Sequence, residues 1–225
     1  AIDDDLEQRL PVVGGTAGDA MTLTATWQYR DDEAATDSVA AVLVRGRAQL
    51  EMEVSHGCLP IGLERRVTRA EGGWVHEIDG QPAWSVFREY LEGAPELLNA
   101  EVSSHIAIGE ALPPDATRDD EAYIIHTPLG LDAAAGALFF PGGGLATGAS
   151  IRMTRRDPDR IGESARRAAS RIAGRHPGRA PAFVLQFDCA GRGRQLFGHD
   201  AARHIVRPLR EALGMQVPWI GFHTI

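Results

Sequence analysis

The chain has no lysine: all 23 of its basic residues are arginine, a bias that reads as the mark of a GC-rich coding sequence and carries no functional weight. Cysteine is nearly absent as well. Cys58 and Cys189 stand far apart, without a companion at metal-type spacing, so a disulfide framework is not indicated and a reducing compartment is the default. No apolar run approaches the roughly 20 residues of a membrane span, and no signal peptide opens the chain. We therefore expect a cytoplasmic protein with no membrane partner. A formal net charge of −8 removes the long-range attraction that nucleic acid or an anionic lipid surface rewards in a partner, so no nucleic acid is expected either. An initiating Met is missing too: "AIDDDLEQRLPVVGG" opens in the middle of a helix-to-strand passage, as expected of a piece of a longer protein.

What is present is ordinary for a globular protein. Hydrophobic residues make up 44% and charged residues 24% of 225 positions, enough for one large or two smaller domains. After a short amphipathic segment ending at Leu10, "PVVGG" reads as a brief buried strand. "TLTATWQY" (Thr22 to Tyr29), "SVAAVLV" and "AQLEMEV" then alternate as an antiparallel meander. Gly57, Pro60 and Gly62 mark a break before "LERRVTRAEGGWVHEIDG", a hairpin turning at Gly72 and Gly73. From Gln81 the period lengthens: Trp84, Phe87, Tyr90 and Leu91 predict a helix with Pro82 in its first turn.

The polar stretch "ALPPDATRDDEA" reads as a loop, and "YIIHTPLGL" and "GALFFPGGGLATGASIRMT" as strands around turn glycines. Asp157 as N-cap and Pro158 in the first turn start a helix whose apolar face is Ile161, Ala165, Ala169 and Ile172, with a solvated arginine face opposite. The strand "AFVLQFD" follows, then a helical stretch to Leu213 broken at Pro208, then "VPWIGFHTI". The two ends resemble each other: Leu6 to Leu10 before "PVVGG" matches Leu209 to Leu213 before "PWIGF". Two related halves would produce this. The fold class we expect is α/β, with mixed, antiparallel-rich sheets packed with helices.

Two short stretches carry candidate chemistry. "FDCAGRGRQLFG" runs strand, glycine loop, helix, an order in which backbone amides converge on an anion or polar ligand, with Arg192 and Arg194 available for bidentate contacts. It has neither the Gly-Lys-Ser/Thr of a P-loop nor a GxGxxG fingerprint, so the loop is either a site or a tight connection. Cys189 at a strand end, with His199 or His204 as base, is a conceivable nucleophile. "HGC", His56 to Cys58, offers an imidazole and a thiolate, yet no second pair completes a closed zinc site. No catalytic residue and no metal site are assigned.

Taken in order, "LPVVGGTAGD", "HGCLPIG", "RVTRAEGGWVHEIDGQPAWSVFREYL", "FDCAGRGRQLFG" and "VPWIGFHTI" resemble the FIST family, sensory domains of bacterial signalling proteins. The likeness divides the chain into residues 1–57, the end of a FIST N-terminal domain, and 58–225, a FIST C-terminal domain. Two departures stand out: Asp188 occupies a position more typically Ser, and the chain stops where the family usually continues into Gly-Glu-Ile.

The resemblance implies a non-catalytic sensory domain that binds a small molecule, an amino acid or related metabolite. It implies also a fused output module or a partner such as a histidine kinase or cyclic-dinucleotide enzyme. We expect the ligand at Cys189, Gly191, Arg192 and Gly193, with Arg192 as charge partner, backbone amides as donors, and His56 and Cys58 nearby. Some members of the family are described as haem-binding nitric oxide sensors, which makes haem an alternative cofactor with one of eight histidines as axial ligand. A Cys-dependent hydrolase or transferase is a third reading. A scaffold without ligand is a fourth, favoured if the glycine loops prove buried and self-satisfied.

Overall fold

Alternating apolar positions in strands that fold back on one another build the core. The computed structural model describes residues 11–19, 24–93, 96–99, 102, 105–113 and 122–224. A hairpin of β1 (Gln28–Arg30) and β2 (Glu33–Ala35) precedes β3 (Cys58–Glu71), β4 (Trp74–Ile78), β5 (Gln81–Pro82) and helix α1 (Ala83–Arg88). Strands β6 (Ile106–Ala111), β7 (Tyr123–His126), β8 (Gly130–Asp132), β9 (Ala137–Phe139) and β10 (Ser150–Arg156) lead into α2 (Pro158–Arg175). Strand β11 (Val184–Cys189), the short helix α3 (Arg194–Phe197), α4 (Arg207–Leu213) and β12 (Trp219–Thr224) complete the chain.

Eight strands form one antiparallel sheet in the order β7-β6-β10-β3-β4-β9-β8, with β5 on β4. The inner face of this sheet is the core: Val67, Val75, Ile78, Ile108, Leu138, Ile151 and Met153 are fully buried, and α1 lays Trp84 and Phe87 on them. Strand β6, which carries Ile108, is one that the sequence reading did not find. Strands β11 and β12 make a separate parallel pair. The expected class, α/β with antiparallel-rich sheets packed with helices, is the observed one.

Helix α2 starts as its sequence predicts. The Asp157 carboxylate accepts the amides of Asp159 and Arg160, and Pro158 occupies the first turn. Its arginine face departs from expectation. Arg171 bonds Glu53 at 2.9 Å, Arg175 bonds Glu51 at 3.2 Å and also Glu53, and His176 meets Glu51 at 2.8 Å. The far end of α2 is thus pinned to the segment leading into β3 rather than left to solvent.

Several expected elements take other forms. "SVAAVLV" and "AQLEMEV" are not strands: among the described residues they have no strand partner, Glu51 and Glu53 turn to α2, and Val42, Leu43, Leu50, Met52 and Val54 stay exposed. "PVVGG" is also irregular, and only Ala17 nearby makes a bridge, to Thr224. Of "TLTATWQY", Gln28 and Tyr29 lie in strand, while positions 20–23 fall outside the described residues, as do Leu6 to Leu10 and most of "ALPPDATRDDEA". The helix from Gln81 is short, with Pro82 as its N-cap and Tyr90 and Leu91 beyond its end.

The break expected at Pro208 lies earlier. Gly198 ends α3, a π turn spans Ala202–Val206, and Pro208 opens α4. Proline has no N–H for the carbonyl four residues back, here His204. That carbonyl instead faces Gly162 of α2, 3.3 Å from where a Cβ would stand.

Gly57 joins β3 to α2 at close range. Its φ is +63°, and a Cβ there would lie 2.5 Å from the Ile161 Cα, whereas Gly72 has φ +58° with open space around it. Gly57→Ala should therefore cost about 3 kcal/mol in urea unfolding and Gly72→Ala only about 1 kcal/mol, since the second carries backbone strain alone.

Candidate functional site

Parallel pairing brings Asp188 opposite His223 and Phe187 opposite Phe222. Strand alternation then sets Asp188 and His223 on one face and the two phenylalanines on the other, their rings 5.2 Å apart and edge to face. At the carboxyl end of β11, beside that of β12, the chain turns into "CAGRG". The Ala190 amide donates to the Thr224 carbonyl at 2.9 Å, and the Gly193 amide to the Cys189 carbonyl at 3.0 Å. These two bonds fold the loop back over the strand ends.

Inside the fold-back lies an ion pair. Arg192 Nε donates to Asp188 Oδ1 at 3.0 Å, and its Nη1 reaches the Ser55 carbonyl and, at 3.2 Å, the Ser55 Oγ. Asp188 is 7% and Arg192 8% exposed. The other carboxylate oxygen, Oδ2, lies 3.8 Å from Nδ1 of the half-exposed His223. Burial pushes the Asp188 carboxyl above its ordinary range, and the charges of Arg192 and His223 pull the other way. Glycine is required where the loop crosses this pair: a Cβ on Gly193 would stand 2.8 Å from Asp188 Oδ2 and 3.0 Å from His223 Cε1.

A second buried guanidinium lies against the same loop. Arg156, at the end of β10, donates to Thr127 Oγ1 at 2.7 Å, and Gly191 passes so close that its Cβ would be 3.0 Å from Arg156 Nη2. Arg156 is also the register partner of Cys58. The Cys58 amide donates to His56 Nδ1 at 2.9 Å, which fixes that nitrogen as an acceptor. The structure therefore brings "HGC" and the Cys189–Gly193 loop to one region, joined through Ser55 and Arg156.

Within that region the roles differ from the sequence reading. The Arg192 guanidinium turns inward to Asp188 and Ser55 rather than outward, and the amides of Ala190 and Gly193 are spent on the β12 end and within the loop. Gly191, Arg192 and Gly193 are all buried. Sequence reasoning missed His223, Arg156 and Ser55, and noticed Asp188 only as a departure. The signal for the ion pair was an Asp and an Arg four positions apart across a glycine loop; no local pattern announced His223, which register alone delivers.

Four of the described histidines already have a side-chain neighbour. His126 meets Glu110, His176 meets Glu51, His204 stacks on Phe197 at 4.5 Å, and His223 faces Asp188. An open hollow of about 520 Å³ on α2 is lined by Glu163, Arg166, Arg167, Ser170 and Arg171, and one of about 420 Å³ by Ala202, Val206, Met215 and three arginines. Neither hollow holds a histidine or adjoins the loop. Among the described residues no group of His, Cys, Asp and Glu is gathered for a metal ion, and no helix is long and apolar enough to cross a membrane.

Comparison with known proteins covers the whole chain. The FIST N domain model matches residues 1–81 and the FIST C domain model residues 83–225. An uncharacterized protein of Mycobacterium bovis is 32% identical over 212 residues, 94% of this chain and 53% of that protein. One of Mycobacterium tuberculosis is 32% identical over 218 residues, 94% of this chain and 54% of its own length. A third, from Methanocaldococcus jannaschii, is 34% identical over 85 residues, 38% of this chain and 17% of that protein. The chain thus spans about half the length of the mycobacterial relatives. No solved structure matches it.

Two outcomes follow from the ion pair. Arg192→Ala leaves the Asp188 carboxylate buried alone and should cost about 3 kcal/mol of stability in denaturant unfolding. Because the folded-state pKa of Asp188 is raised, its contribution to stability is full below its ordinary value of 3.8 and is lost as pH rises through the higher folded value. Unfolding free energies compared across acidic pH should show that falling component in the native chain and lose it in Asp188→Asn.

Proposed function

The chain belongs to the FIST family of sensory domains in signal-transduction proteins, and from that premise we propose that it recognises a small polar molecule at the carboxyl edge of β11 and β12. The observation that carries the reading is the cluster of Asp188, Arg192 and Arg156, all buried, with half-exposed His223 at its margin. Burying charge is costly and contributes little net stability, and a carboxyl with a raised pKa at the carboxyl ends of parallel strands marks a candidate site. The ligand is an amino acid or related metabolite, whose carboxylate suits the imidazole of half-exposed His223 at the margin. The buried, largely self-satisfied loop is what a scaffold without ligand would show. In this reading the ligand therefore meets half-exposed His223 and the outer rim of the Cys189–Gly193 loop, with His56 and Cys58 behind, while Arg192 holds Asp188 in place.

The site is non-catalytic in this reading. Alternation along β11 sends Cys189 to the face opposite Asp188, so the Asp188–His223 pair is not arranged to activate the thiol. Binding is passed to an output module or partner such as a histidine kinase or cyclic-dinucleotide enzyme. We draw the domain division at 57/58, because β3 hydrogen-bonds on both sides within the antiparallel sheet.

Thermal-shift screening of the twenty amino acids and short carboxylates tests this. One compound class should raise Tm with concentration, and His223→Ala should weaken its binding roughly tenfold, the loss of one charge-assisted contact, while His199→Ala changes nothing. A panel without any shift, or equal binding by His223→Ala, would count against the site. Protein expressed with haem precursor should show no stoichiometric Soret band; a band would replace this reading with a haem sensor.

A further inference from the structure

The face of the β11–β12 pair opposite Asp188 is apolar and largely uncovered. Leu185 and Ile220 are register partners on it, Phe222 adjoins them, and Phe183 extends the row; all four are between 48% and 67% exposed. Parallel strands are otherwise an interior structure, covered on both faces, because the crossovers that join them bring helices onto the sheet. Two parallel strands with one bare apolar face are the inner half of a layer pair.

We propose that this face is the docking surface for a helical layer contributed by the same polypeptide, from sequence outside these 225 residues. Three observations favour that occupant. The mycobacterial relatives match 94% of this chain with only 53 or 54% of their own length, so a comparable length of polypeptide accompanies this unit in them. The covering layer already begins within the chain: Gly15 lies against Phe187 and Thr224 at the carboxyl end of the same face, so close that a Cβ would be 3.2 Å from Phe187 Cβ, and Ala17 bridges Thr224. A second copy is the less favoured occupant, since each copy carries a net charge of −8 and two would repel.

The segment before β3 repeats the pattern. Glu51 and Glu53 point to the arginines of α2, while Leu50, Met52 and Val54, the alternate positions, face out. Charge inward and apolar outward is the reverse of a solvent-facing segment. It is the pattern of a chain lying between two layers.

Hydroxyl-radical footprinting of the full-length polypeptide, at two concentrations a hundredfold apart, tests the proposal. Phe183 and Phe222 should be modified several-fold less than Tyr29, which is 70% exposed, at both concentrations. Modification equal to that of Tyr29 overturns the proposal, as does a natural polypeptide limited to these 225 residues. Protection lost on dilution together with a dimer-to-monomer change in light scattering overturns it in favour of a second copy. As an independent check, Ile220→Asp in the full-length protein should lower Tm by roughly 5 °C, while Leu63→Asp, on β3 away from this face, leaves it unchanged. An unchanged Tm for Ile220→Asp contradicts the docking.

Discussion

The Asp188–Arg192 ion pair is the constraint on which the C-terminal region depends. A buried pair of this kind gains little over apolar packing, because desolvation offsets most of the attraction. What it imposes is position. The carboxylate belongs to β11, the guanidinium to the loop after it, and the third partner, Ser55, to the segment before β3. One side chain thus ties the parallel pair to the antiparallel sheet. Gly193 and Gly191 follow as consequences, since the loop can lie over Asp188 and against Arg156 only where no Cβ intervenes.

The two sheets obey different rules. The antiparallel sheet supplies its own closure: each strand finds a partner by folding back, and α1 covers the inner face with Trp84 and Phe87. The parallel pair is made by the strands that precede and follow α3 and α4, and its cohesion rests on register and on the aromatic contact of Phe187 with Phe222. The fold thus has an antiparallel sheet and, beside it, a smaller parallel unit with a charged edge and an apolar back.

Legibility in the sequence tracked the range of the interactions. Local signals were readable: the turn at Gly72 and Gly73, the Asp157 cap, and the strand stretches that became β10 and β11, whereas β6 carried no signal that was read. Elements whose conformation is set by distant partners were not. Residues 38–54 have the alternation of strands, yet their acidic positions pair with Arg171 and Arg175 more than a hundred residues away, and that contact decides how they lie. The site divided in the same manner. "HGC" and "CAGRG" were visible as glycine-punctuated motifs. The inward turn of Arg192 was not, because it depends on Ser55, and His223 entered only through the pairing of β11 with β12. Family likeness supplied the sensory class; the buried charges became visible only in the folded chain.

The most direct test of the central claim is NMR observation of the His223 imidazole nitrogens during titration with the compound that most raises the melting temperature. A saturable change at His223, with His199 unmoved, is the expected result. Saturable binding that leaves the His223 resonances in place, or that moves only residues on the antiparallel sheet, would contradict a site at the carboxyl edge of β11 and β12.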